Sequence, residues 1–141
     1  MNIKLVQSRD DLDRTFDVMS QLRPQYDRAH YVSYVYETLI PAGLNVAYLE
    51  EDGAIRCVSG FRISASLAWG KYIYVDDIVS EDKGRSRGYG KHMLDWIARH
   101  GKEQGCGEMH LDSGVQRHAA HRFYLRERMD IVFYHFKRVL G

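Results

Sequence analysis

Apolar and polar positions alternate at the start of the chain, where Ile3 and Leu5 flank Lys4 and Val6 follows. This predicts a short strand over 2–7. Ser8-Arg9-Asp10-Asp11 has the S-x-x-D form of a capping box. Behind it Leu12, Phe16, Met19 and Leu22 recur at spacings of three and four, as on a helix with one apolar face. Pro24 stops that helix. A second fits 27–40, with Val32, Val35, Tyr36 and Leu39 inward, and Pro41 ends it. The pattern then turns strand-like over 44–50, 54–66 and 71–79, joined by the hairpin signal Asp52-Gly53 and a turn near Trp69-Gly70, so the centre reads as an antiparallel meander. A loop over 80–87 leads to a long helix over 88–104, with Tyr89, Met93, Ile97 and Ala98 inward and Gly105 or Gly107 at its end. A short strand over 108–112 follows, then a helix over 116–126 with the stripe Val115, Ala119, Ala120, Phe123 and Tyr124, then a last strand over 131–140. The order strand-helix-helix-strand-strand-strand-helix-strand-helix-strand predicts an α/β (mixed α+β) protein with a central mixed, twisted sheet of about six strands and helices on both faces.

The chain has 141 residues, 45% hydrophobic and 28% charged, which suits one globular domain over 1–141. No apolar run approaches the ~20 residues of a membrane span, and the charged N-terminus has no signal-peptide core. Cys57 and Cys106 match no metal spacing and form no disulfide framework, so a cytoplasmic setting is expected. A net charge of +1 gives no long-range pull toward nucleic acid.

Chemistry concentrates in Asp77-Ile-Val-Ser-Glu-Asp-Lys-Gly-Arg-Ser-Arg-Gly-Tyr-Gly-Lys91, where a strand enters a polar loop and the loop a helix. Gly84, Gly88 and Gly90 let backbone approach a ligand, and a helix N-terminus ringed by Lys83, Arg85, Arg87 and Lys91 favours an anion. The same glycines also suit an ordinary solvated turn. Two phosphate motifs fail. Five residues separate Gly84 from Gly90 where a P-loop has four, with His92 in place of its hydroxyl. Met93 stands where the dinucleotide fingerprint needs its third glycine.

The stretch does match R-x-x-G-x-G, as Arg85-Ser-Arg-Gly-Tyr-Gly90 directly after Ile78-Val79-Ser80. With the element order and Ala120-His-Arg-Phe-Tyr124 on a later helix, the chain resembles the GNAT superfamily of N-acetyltransferases. The segment 117–127 looks like its aminoalkylphosphonate branch. The resemblance implies acetyl-CoA as cosubstrate, its pyrophosphate held by Arg85, Ser86, Arg87, Gly88, Tyr89 and Gly90. It implies that the backbone of Ile78, Val79 and Ser80 holds the pantetheine arm, and that an N–H near Ile78 or Val79 stabilises the oxyanion. An amine attacks the thioester, Tyr124 acts as general acid toward the sulfur, and Asp77, then Asp76, ranks as base, with a water chain as the third route. Strand alternation points those two acids to opposite faces; an arginine partner for either is the structural alternative.

The resemblance also implies an acceptor site at the loop between the first two helices, here with Tyr26, His30 and Tyr31. Arg23 and Arg28 suit a phosphonate or carboxylate on a polar amine, and equally suit solvent. Three positions depart from the pattern. Arg117 replaces an asparagine and is left to meet a phosphate. Arg128-Met129 replaces Gly-Phe, which predicts a different turn. A further strand is lacking, so a partner chain is expected to complete the sheet as a homodimer. His118, His121, His110 and Asp112 repeat no ligand spacing, so no metal is expected. The implied function is acetylation of a small-molecule primary amine. The alternatives are a protein or peptide N-acetyltransferase and a non-catalytic acyl-CoA-binding module.

Overall fold

A computed structural model describes residues 1–82 and 87–141. These form two compact units, Met1–His110 and Leu111–Gly141. In the first, the capping box forms as read: Ser8 Oγ accepts from the Asp11 N–H at 3.1 Å, and Asp11 Oδ2 accepts from the Gln7 N–H at 3.0 Å. It opens α1 (Arg9–Arg14), but α1 and α2 (Phe16–Met19) are separate where one helix was expected. The cause is Thr15, whose hydroxyl donates to the Leu12 carbonyl at 2.6 Å inside the core and competes for the helix's own acceptor. Asp27 caps α3 (Arg28–Tyr34), accepting from the His30 N–H at 2.7 Å. A π-helical turn, Val35–Leu39, continues it to Pro41, and Tyr31 and Val35 are its buried residues.

The meander is β2 (Asn45–Glu51), β3 (Ala54–Ser66) and β4 (Gly70–Ser80). Asp52 and Gly53 both have positive φ, 55° and 75°, as a primed hairpin turn requires. With β1 (Asn2–Leu5) and β5 (Glu108–Leu111) the sheet has five strands in the order β1-β2-β3-β4-β5. The first three neighbouring pairs are antiparallel. Val46 through Leu49 are all buried, the signature of a strand covered on both faces. One face packs Val46, Tyr48 and Val58 against Leu12, Met19, Tyr31 and Val35. The other meets α4 (Tyr89–Glu103), where Phe61 lies edge-on to Trp96 and His100. On α4 the buried residues are Tyr89, Met93, Leu94, Ile97 and Gly101. Ala98, expected inward, is exposed, because the contact runs along the 90-94-97-101 side. Gly105, at φ 85°, closes α4 in a Schellman motif, with Cys106 N–H donating to the Gly101 carbonyl and Gly105 N–H to that of Lys102.

In the second unit, α5 (His118–Arg126) has no fully buried residue, and Phe123 and Tyr124 are half-buried. Two expectations are corrected here. Arg128 takes φ 65° and closes α5 with the same Schellman bonds, Met129 N–H to Tyr124 and Arg128 N–H to Leu125, so the left-handed turn forms without glycine. Residues 131–140 form no strand, which makes the sheet five-stranded rather than six. Their apolar side chains are solvated, Phe136 being 91% exposed, and His135 pairs with Asp112 at 2.9 Å. A strand exists only where another strand accepts its hydrogen bonds, which the apolar run alone cannot supply.

Candidate active site

A cavity of about 230 Å³ opens between α2, α3 and the sheet. Its apolar floor is Met19, Val35, Leu39, Leu44 and Val46. Tyr26, Tyr31 and Tyr34 add an aromatic wall; Gly60, Asp77, Arg23 and Gln25 complete it. Tyr26 stacks on Tyr34 with ring centroids 6.0 Å apart. His30 meets the Tyr26 ring at 5.1 Å but does not line the cavity. Tyr31 is buried, and its hydroxyl donates to Thr15 Oγ1 at 2.7 Å, since the single Thr15 hydrogen goes to Leu12. Burial pushes the Tyr31 phenol up to about 12, Thr15 partly opposing. That phenol stays neutral at physiological pH.

Asp76 and Asp77 do not follow simple strand alternation. Gly60 pairs with Asp77 and Phe61 with Val75, so Asp76 is the extra residue of a β-bulge. Both acids meet arginines: Asp77 Oδ1 accepts from Arg23 Nε at 2.7 Å, and Asp76 Oδ2 from Arg62 Nε at 2.9 Å. Asp77 lines the cavity and Asp76 does not. Arg28 is turned away from the cavity, pairing with Asp13 and Asp17 and lying over Phe16 at 4.8 Å. Gly60 was missed in the sequence, although an isolated glycine inside a thirteen-residue strand is the signal for a bulge or close approach. Leu44 and Val46 were missed as lining because nothing in their spacing separates lining from core.

Beyond the bulge, Ile78, Val79 and Ser80 pair inward with Ser59, Val58 and Cys57. β5 joins β4 near its start, where Gly107 N–H donates to the Lys71 carbonyl at 2.9 Å. Four residues at ~3.3 Å each cannot carry that pairing to Ile78–Ser80. The outer backbone edge of those three residues therefore lies beyond the reach of β5. Cys57 beneath them is fully buried, and burial pushes its thiol up to about 12, so it is no nucleophile.

Gly88, at φ 78°, starts α4 without a side-chain cap. The N–H groups of Tyr89, Gly90 and Lys91 precede the first helical bond, from His92 to Gly88, and point off the helix end. The Tyr89 ring is buried, and its hydroxyl donates to Glu51, whose carboxylate holds the phenol above its ordinary range. Tyr89 thus offers a ligand only its backbone. Arg87 is exposed. Arg85 and Ser86 lie outside the described residues. An arginine not anticipated, Arg56, pairs with Glu81 at 2.8 Å.

In the second unit, Tyr124 is half-buried in the last turns of α5 with its ring 5.3 Å from Phe123. Arg117 is exposed at the helix start. His121 Nε2 meets the Gly114 carbonyl at 2.7 Å. His110 lies flat on Trp69 at 3.7 Å. Among the described residues no three metal-ligating side chains come together.

Residues 8–129 match the family model described as Acetyltransferase (GNAT) family. The uncharacterized N-acetyltransferase YhdJ of Bacillus subtilis (strain 168) is 31% identical over 124 residues, covering 88% of this chain and 87% of that protein. Among solved structures, a ribosomal-protein-alanine N-acetyltransferase from Brucella melitensis biovar Abortus 2308 superposes with a TM-score of 0.85 at 13% identity, over 99% of this chain and 100% of that one. Aminoglycoside N-acetyltransferase AAC(6')-Iy, solved in complex with CoA, superposes with a TM-score of 0.77 at 18% identity, over 98% and 96%. An acid in the wall of a cavity, a left-handed glycine opening α4 and these likenesses agree: the chain belongs to the GNAT family and is an acetyl-CoA-dependent N-acetyltransferase.

Proposed function

We propose that residues 1–141 act as one domain that acetylates the primary amine of a small molecule. The observation that carries this reading is the cavity of about 230 Å³ with the Asp77 carboxylate in its wall, a concave site of small-molecule size where one acid, one arginine and three tyrosines converge. Acetyl-CoA supplies the activated acetyl group. The uncapped start of α4 suits its pyrophosphate, through the N–H groups of Gly88, Tyr89 and Gly90, with Arg87, Arg85 and Ser86 beside them in sequence. Arg117, exposed, suits a further phosphate. The backbone edge of Ile78, Val79 and Ser80 suits the amide-rich pantetheine arm.

In this reading Asp77 takes the proton of the incoming ammonium, with Asp76 held back by Arg62. The neutral amine attacks the thioester carbon, the C–S bond breaks, Tyr124 gives its proton to the departing sulfur, and the second proton lost by the nitrogen restores the Tyr124 phenol through solvent while Asp77 releases its own. Tyr26 and Tyr31 meet the acceptor's body, and His30 braces Tyr26. Tyr124→Phe tests the assignment: turnover in a thiol-release assay is expected to fall by about 10²-fold, with acetyl-CoA affinity by calorimetry unchanged. Undiminished turnover removes Tyr124 from the mechanism. Acetylation of peptide N-termini in preference to small amines moves the chain to the protein-acetylating alternative.

The solvated apolar segment 131–140 supports a homodimer in which a second copy covers it. Phe136→Glu is expected to turn a dimer into a monomer by sedimentation; a wild-type monomer refutes the proposal. The free thiols Cys57 and Cys106 support a reducing, cytoplasmic location, checked by fractionation.

A further inference from the structure

We infer that the acceptor is an amine carried on a compact apolar body, not on a phosphonate, a sugar or a polycation. The inference rests on the small-molecule reading above and names its substrate class. The sequence, with Arg23 and Arg28 beside aromatic residues, suited an anionic or carbohydrate body. The structure removes that fit. Arg28 is spent on Asp13 and Asp17 outside the cavity. Arg23 is the arginine in the lining, and it is paired with Asp77, the lining's carboxylate. A doubly charged phosphonate entering here meets one arginine already neutralised, no second cation, and a floor of Met19, Val35, Leu39, Leu44 and Val46; Gln25 and the tyrosines add only neutral donors. A sugar's hydroxyls can reach those few neutral groups, but most of them face the same floor. A polycation finds one acid for its several charges.

An apolar amine fits at both ends. Asp77 Oδ1 holds Arg23. Asp77 Oδ2 lies toward Gly60, 3.7 Å from where a Cβ on that residue would stand. The absence of a Gly60 side chain lets Leu44 Cδ1 close to 3.2 Å of that same point, so the aliphatic floor begins directly beside the carboxylate that would hold the ammonium. The body then lies away from the sheet edge, over the aliphatic floor and against Tyr26 and Tyr34. At the ~30 Å³ that a water takes in the liquid, about 230 Å³ holds roughly eight non-hydrogen atoms. Leu39 sits on the π-helical turn and lines the aliphatic floor, so it bounds the space available to the body.

The test is a series of linear primary alkylamines from propylamine to dodecylamine, with wild-type protein and acetyl-CoA, read by thiol release. Spermidine, glucosamine and 2-aminoethylphosphonate run alongside, and acetyl-CoA affinity is measured separately by calorimetry. The expected result is a kcat/KM that rises about fourfold per methylene, the ~0.8 kcal/mol of one buried CH₂, up to about seven or eight carbons and then levels or falls. Leu39→Ala is expected to move that optimum two to three carbons longer. This comparison between chain lengths is insensitive to how much of the variant is folded. A flat series, with one of the polar amines acetylated at least as well, overturns the apolar class and leaves the small-molecule reading standing. Normal acetyl-CoA binding with no amine of either set acetylated overturns the small-molecule reading itself.

Discussion

Tyr31→Phe separates two effects that the buried phenol combines. At neutral pH the variant loses the bond from the Tyr31 hydroxyl to Thr15 Oγ1, worth about 1 kcal/mol net, while Thr15 keeps its own bond to Leu12. At high pH the sign changes. The phenol's ordinary value is 10.0 and burial holds it at about 12 in the folded protein. Between those values the unfolded chain has released the proton and the folded protein has not. The contribution is therefore fully present below pH 10 and is lost as pH rises toward 12. At pH 11 the loss is about 1.4 kcal/mol, one unit's worth of linkage. Wild type should thus be about 1 kcal/mol more stable than the variant at pH 8, the two should cross near pH 11, and the variant should lead beyond it. Cys57, raised from 9.0 to about 12, drains stability from about pH 9 upward but does so equally in both proteins, and it cancels in the difference. Urea unfolding followed by tryptophan fluorescence at pH 8, 9, 10 and 11 gives that difference directly. If it stays constant to pH 11, the folded phenol is not shifted, and Tyr31 regains a possible role in proton transfer.

Two other substitutions follow from the geometry. Asp77→Asn removes the negative charge from the cavity wall and leaves Arg23 unpaired; kcat/KM for amines should fall by about 10²-fold with acetyl-CoA affinity by calorimetry within twofold, and a fall of less than threefold would hand the proton to a water chain. Arg128→Gly relieves a non-glycine residue at φ 65°, a conformation that costs about 1–2 kcal/mol, against the smaller entropy glycine adds to the unfolded chain, so the melting temperature should rise; a fall shows that the Arg128 side chain contributes more than its backbone costs.

The regular elements were legible because each rests on local chemistry. The Ser8 capping box, the Asp52-Gly53 turn and the extent of β3 need only neighbours in sequence, and each formed as read. Errors began where a local signal competed with a distant one. Thr15 looks like an ordinary helical residue until the buried Tyr31 hydroxyl fixes it beside the Leu12 carbonyl and splits the helix. The segment 131–140 has the composition of a strand, but strand formation is a property of pairs. Arg128 occupies a turn that composition reserves for glycine, because the Schellman bonds of α5 outweigh a cost of about 1–2 kcal/mol.

The two halves of the site differ in the same way. The features suited to acetyl-CoA lie on one continuous stretch, from Ile78 to Gly90, and depend on backbone: a strand end, a left-handed Gly88 and amides at a helix start. Backbone chemistry at fixed spacing leaves a motif in the sequence, and that motif carries the cofactor assignment. The cavity proposed for the acceptor draws on positions from Met19 to Asp77 across α2, α3, the π-helical turn, β2, β3, β4 and their connections, and its character is set by which charges cancel. Arg23 and Arg28 are five residues apart on one short stretch, and nothing local separates them. Yet one faces the cavity against Asp77, and the other lies over Phe16 with Asp13 and Asp17. Once both are neutralised, the cavity presents aliphatic floor, tyrosine and the Gln25 amide. The polarity of the cavity is therefore a property of tertiary pairing. That is why a loop rich in arginine and aromatic residues read as polar, while the cavity it folds into is apolar.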